Sequence, residues 1–157
     1  MIPALEVHDA SSGEDRIVGT ARFSLRRGMA STTFSYDESW IALGTSAYAI
    51  DPSLPLTPSP QHRPGLPGAF RDASPDRWGR MLIERDRQGA ALRGQGGLRQ
   101  LDDVDFLVGV FDQTREGSLR FCEPGGGFLA ASEPVPPLVQ LPRLLEASRN
   151  VARHEAG

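Results

Sequence analysis

Phe70-Arg-Asp-Ala-Ser-Pro-Asp-Arg-Trp-Gly-Arg80 contains the most specific local signal in this chain, a fully written helix start. Ser74 offers an acceptor to the free N–H groups of a first turn, and Pro75 has the fixed φ and missing N–H that suit the first helical position. Asp76 suits the positive end of the helix dipole. The spacing predicts a helix over residues 75–86. Trp78, Met81 and Leu82 form its apolar stripe, while Arg77, Arg80, Glu84 and Arg87 follow a polar face. Asp76 and Arg80 are spaced to pair at i, i+4. Gly79 costs about 1 kcal/mol relative to alanine in a helix interior, so it implies a close approach of another backbone beside Trp78. Trp78 reads first as a core residue, with exposure at an interface as the alternative.

Strands are expected before this helix. Leu5–His8, Ile17–Leu25 and Ala30–Tyr36 alternate or carry β-branched and aromatic residues, with turns at Ser11-Ser-Gly13 and Arg26-Arg-Gly28. They read as an antiparallel meander. Asp37 is placed to cap a short helix holding Trp40, Ile41 and Leu43, which Gly44 ends, and Tyr48–Ile50 reads as a further strand. Six prolines between Asp51 and Pro67 predict an extended, irregular segment that wraps the sheet without joining it.

Beyond the Ser74 helix, the glycines of 89–97 read as a connection. Asp102 or Asp103 caps a helix through Val104, Phe106, Leu107, Val110 and Phe111, and Gly117–Phe121 is a closing strand. A Gly/Pro-rich linker follows at 124–141. Pro142 opens a last helix, with Leu144, Leu145 and Val151 on one side and Arg149, Arg153 and His154 near its negative end. The fold class expected is α+β: a small curved antiparallel sheet with a few packed helices, Pro/Gly-rich loops and a C-terminal helix.

Composition limits the chemistry. The 157 residues suffice for one domain that buries roughly two-thirds of its unfolded surface. Seventeen basic residues, all of them arginine, against 20 acidic ones give a net charge of −3, so no global basic field exists to hold nucleic acid or an anionic membrane. Cys122 is the only cysteine; an intrachain disulfide is excluded, and a cytoplasmic setting is expected. No apolar run is long enough to cross a bilayer.

Four groups of residues in a fixed order resemble one family. They are Phe34-Ser-Tyr-Asp-Glu-Ser-Trp40, Asp51-Pro-Ser-Leu-Pro-Leu56, the Ser74–Arg80 start, and Asp102-Asp-Val-Asp-Phe-Leu107-Val-Gly-Val110 with Gly117-Ser-Leu-Arg-Phe121. This order is similar to the N-terminus of HipA-family proteins, serine/threonine kinases that act as toxins in bacterial type II toxin–antitoxin systems. The resemblance extends from about Val18 to Asn150. It implies an α+β N-terminal subdomain over residues 1–123, then the linker, then at 142–157 a helix leading into a helical kinase core. In the family a Gly-rich phosphate loop containing a lysine comes shortly after a segment resembling Pro136–Val151, and catalytic aspartates and metal-binding residues come later still. This chain has no lysine and ends at Gly157, before any of them. Phosphoryl transfer needs phosphate-anchoring cations, metal-binding acids and a base, so no catalysis by this chain alone and no cofactor are expected.

Other clusters have plain readings. Gly94-Gln-Gly-Gly97 and Gly125-Gly-Gly127 lack a following Lys-Ser/Thr and read as hinges. His8, His62 and His154 are far apart without ligand-like neighbours in sequence, so no metal site is expected. Asp102, Asp103 and Asp105 are explained by helix capping. Six arginines between Arg77 and Arg99, against Glu84 and Asp86, form the one basic concentration, and with a single interleaved aromatic it reads as a solvated helical face or a protein contact.

Three functions remain: a non-catalytic module that docks on a separately encoded HipA-like kinase core or an antitoxin protein, a truncated inactive toxin, and a nucleic-acid-binding regulator using Arg77–Arg99. The first is preferred. Arg77, Trp78, Arg80, Leu144, Leu145 and Val151 are its candidate docking residues.

Overall fold

A computed structural model of the chain describes residues 4–26, 29–94, 99–110, 112 and 115–129. Five strands, β1 (Leu5–Asp9), β2 (Arg16–Arg26), β3 (Met29–Tyr36), β4 (Gln61–Pro64) and β5 (Leu119–Cys122), form one curved antiparallel sheet in the order β4-β3-β2-β1-β5. The helices are α1 (Glu38–Ile41), α2 (Gly68–Asp72), α3 (Arg77–Leu92) and α4 (Asp103–Gly109). The α+β class and the three-strand meander are as the alternation predicts. The expected C-terminal helix lies outside the described residues.

The alternation decides which face is buried. Leu5, Val7, Thr32, Phe34 and Tyr36 point into the core, and Glu6 and His8 take the opposite face of β1. Phe70 of α2 sits at the centre. It meets Phe34 edge-on at 6.0 Å and Phe121 at 5.2 Å, so one short helix joins the third strand to the fifth.

Two strand expectations need correction. Tyr48–Ile50 is not a strand, because side chains satisfy its backbone instead of a ladder: Trp40 Nε1 donates to the Tyr48 carbonyl at 3.1 Å, and the Ile50 amide donates to the Tyr36 hydroxyl at 3.1 Å. The Tyr36 hydroxyl in turn donates to the Leu54 carbonyl at 2.7 Å. The proline-rich segment, conversely, does join the sheet. Gln61, His62 and Arg63 pair with Phe34, Thr33 and Thr32, and β4 is an edge strand ending at Pro64, where a proline breaks no inner ladder.

Asp51 fixes this segment to the core. Its buried carboxylate accepts from the Ser53 amide at 2.7 Å and from the Ala69 amide, also at 2.7 Å, thereby capping α2 from a distance of 18 residues in sequence. A Cβ at Gly68 would lie 2.9 Å from that carboxylate, so the glycine admits the cap. Burial pushes the Asp51 carboxyl up, but the hydrogen bonds from Ser53 and Ala69, with Arg71 nearby, outweigh it and hold the group below the ordinary carboxylate value.

Arg115 closes the other side. Its guanidinium donates to the carbonyls of Ala73 (2.8 Å), Leu107 (2.9 Å) and Val110 (3.3 Å) and lies 4.8 Å from the Phe121 ring centre. It thus satisfies the free carbonyl ends of both α2 and α4. Burial lowers its pKa to about 10, opposed by the charge of Asp112, and the group remains a cation at neutral pH.

Candidate docking face

The Phe70–Arg80 segment folds with its caps redistributed. Ser74 Oγ donates to the Phe70 carbonyl at 2.8 Å and so closes α2; Asp76 is the N-cap of α3, its carboxylate accepting from the Gly79 amide at 2.8 Å. Pro75 therefore precedes the helix, which begins at Arg77 and not at Pro75. A Cβ at Gly79 would lie 2.8 Å from the Pro75 side chain. The close approach that Gly79 serves is made by the incoming chain itself, not by a separate backbone beside Trp78. The helix also runs past the predicted end to Leu92 and terminates before Gly94 at φ 75°.

The orientation of α3 reverses the expected one. None of its 16 residues is buried. Arg80, assigned by periodicity to the polar face, turns toward the protein: its Nη1 lies 3.0 Å from Asp103 Oδ1, and its guanidinium lies 4.7 Å from the Phe106 ring centre. The pairing with Asp76 does not form because Asp76 is occupied as the cap. Ile83 packs on Gly109, where a Cβ would meet the Ile83 side chain at 3.2 Å. Contact with α4 thus turns the other side outward. Trp78 is 59% exposed, against the core reading, and Met81 and Leu92 are exposed with it. Trp78, Met81, Arg85 and Leu92 follow one side of the helix at i, i+3, i+7 and i+14. Arg77 and Arg87 are also exposed.

The arginine concentration is partly consumed within the fold. Arg80 pairs with Asp103, and Arg99 pairs with buried Asp105 and with Asp102 at 3.8 Å. The aspartates do what capping predicts: Asp102 accepts from the Val104 and Asp105 amides at 2.9 and 3.0 Å, and Asp105 accepts from the Asp102 amide at 2.9 Å. A cleft of about 400 Å³ lies beside α3, lined by Glu84, Arg87, Arg99 and Phe106. Of the docking candidates, Arg77, Trp78 and Arg80 share the first turns of α3, and Trp78 faces solvent while Arg80 is engaged. Leu144, Leu145 and Val151 lie outside the described residues.

Sequence reasoning missed two groupings. Arg115 gave no local signal, since its three acceptors belong to helices up to 42 residues away. Glu6, His8 and Cys122 meet on the outer face of the sheet, and only the pairing of β1 with β5 brings the cysteine beside the other two.

A curved five-stranded sheet closed by short helices, carrying one longer helix with an exposed aromatic, defines a small α+β module. The family model of the HipA N-terminal domain matches residues 13–119, and the chain belongs to that family. Neither curated proteins nor solved structures give a match. No helix among the described residues is long and apolar enough to cross a membrane.

Proposed function

We propose that this chain is a non-catalytic HipA-like module that docks, through the outward face of α3, on a separately encoded HipA-family kinase core and regulates it. The setting proposed is a bacterial toxin–antitoxin system in the cytoplasm, where a lone thiol stays reduced. The observation that carries the reading is the exposure of Trp78 beside Met81 on a helix whose other side is already held by α4. Tryptophan and arginine are the residues that most often anchor interfaces, and an aromatic of this size left in water gains most from a partner. The membership of a HipA N-terminal domain family is the support for choosing a HipA-family kinase core as the partner.

The test adds the purified chain to a HipA-family kinase core lacking its own N-terminal domain and follows phosphoryl transfer. A change in rate that saturates with added chain supports the proposal. A rate that stays constant, with no co-elution of the two proteins, removes it.

A further inference from the structure

The face of the sheet opposite the core carries a cluster that docking through α3 does not use. Glu6 and His8 stand two residues apart on β1 and point the same way, and Cys122 is the direct cross-strand partner of Glu6. Their donor atoms form a closed triangle. His8 Nε2 lies 3.4 Å from Cys122 Sγ and 3.6 Å from Glu6 Oε2, and Glu6 Oε2 lies 3.6 Å from Cys122 Sγ.

Those separations match one kind of centre. A tetrahedral ion with bonds of about 2.0–2.1 Å to nitrogen and oxygen and about 2.3 Å to sulfur holds its donors roughly 3.3–3.6 Å apart. The triangle has that size before any ion enters. One carboxylate, one imidazole and one thiol form a mixed donor set that suits zinc and is too soft for magnesium or calcium. The ring presents Nε2 to the triangle, in contact with both Cys122 and Glu6. The side chains of His8 and Glu6 are 17% and 28% exposed, which leaves the cluster open to solvent on one side.

The surroundings tolerate a cation. Arg120, cross-strand from His8, brings a positive charge close to the cluster. Its guanidinium is held by Asp112 and by Asp15 at 2.6 Å and lies 3.6 Å from the Phe128 ring centre, so its charge is compensated. Phe128 also meets the His8 ring edge-on at 5.3 Å, which fixes the imidazole plane.

We propose that Glu6, His8 and Cys122 form a zinc-binding site, with the fourth tetrahedral position open to water or to an external donor. The ion takes the place of the thiol proton that Cys122 otherwise shares with Glu6. Bound there, it ties the first strand of the sheet to the last across 116 residues of sequence. Zinc binding therefore raises the thermal midpoint of the whole chain.

Cobalt(II) provides the test, because thiolate-bound tetrahedral cobalt gives a sulfur-to-metal charge-transfer band and intense visible bands. The full chain, stripped with chelator, should develop both bands with one equivalent of Co²⁺ and lose them when Zn²⁺ is added. Cys122→Ser should abolish the charge-transfer band, and His8→Ala and Glu6→Gln should each weaken Zn²⁺ binding at least about tenfold. His62→Gln, on the exposed edge strand, should change nothing. No charge-transfer band in the unaltered chain overturns the proposal, as does undiminished Zn²⁺ binding by His8→Ala or loss of binding in His62→Gln. The spectrum of the unaltered chain decides the matter even where a variant fails to fold.

Discussion

Arg80 Nη1 lies 3.0 Å from Asp103 Oδ1, and this pair sets which side of α3 faces water. Both side chains are substantially exposed, so the pair itself contributes about 1 kcal/mol or less. Its importance is directional: with Arg80 turned onto Phe106, Trp78 has no inward position left. Asp103→Ala is expected to lower stability in urea melts by less than about 1 kcal/mol while shifting the emission of a Trp78 reporter in a Trp40→Phe background.

The two candidate caps separate cleanly. Asp76→Ala removes the acceptor for the Gly79 amide and should cost about 1 kcal/mol. Ser74→Ala removes only the bond to the Phe70 carbonyl, so α3 should persist. Hydrogen exchange at the Gly79 amide is expected to accelerate in the first variant and to stay unchanged in the second.

Arg115 holds three carbonyls from two helix ends. Arg115→Met keeps much of the packing against Phe121 but leaves those acceptors without their donor, at an expected cost of about 2–4 kcal/mol by chemical denaturation. A loss below about 1 kcal/mol contradicts the assigned role.

Asp51 gives the fold an acid-sensitive clasp. Its folded pKa lies below the ordinary value of 3.8, so its contribution to stability is complete above that pH and is lost as the pH falls through the lower, folded value. The stability difference between the parent chain and Asp51→Asn should therefore be flat from neutral pH to about pH 5 and shrink below about pH 4. Thermal melts across that range provide the check.

The legible parts of this molecule are those set by neighbours in sequence. Strands β1 to β3 follow from period-two alternation, and Asp37 and Asp102 cap the helices they precede. The Asp51–Leu56 stretch, noted as a sequence resemblance, proves to be the turn that caps α2. What escaped was set by distant partners. Helix α2 is only five residues long and depends on Asp51, so no periodicity announces it. β4 lies among prolines that local rules assign to loops, yet edge position excuses them. The side of α3 that meets the protein runs against the sequence pattern, because Arg80 and Trp78 exchange the places their polarity suggests, and only Asp103 and Phe106 explain why. The Glu6, His8 and Cys122 cluster has no local signal because one member comes from a strand 116 residues away in sequence that pairs with β1.

The most direct test of the docking account is the affinity of the chain for a HipA-family kinase core lacking its N-terminal domain, measured by titration calorimetry for the parent and for Trp78→Ala. The variant should fold as the parent does, because Trp78 is exposed, and should bind at least about tenfold more weakly, a loss of about 1.4 kcal/mol or more. Equal affinity of the two chains, or no binding by either, contradicts it.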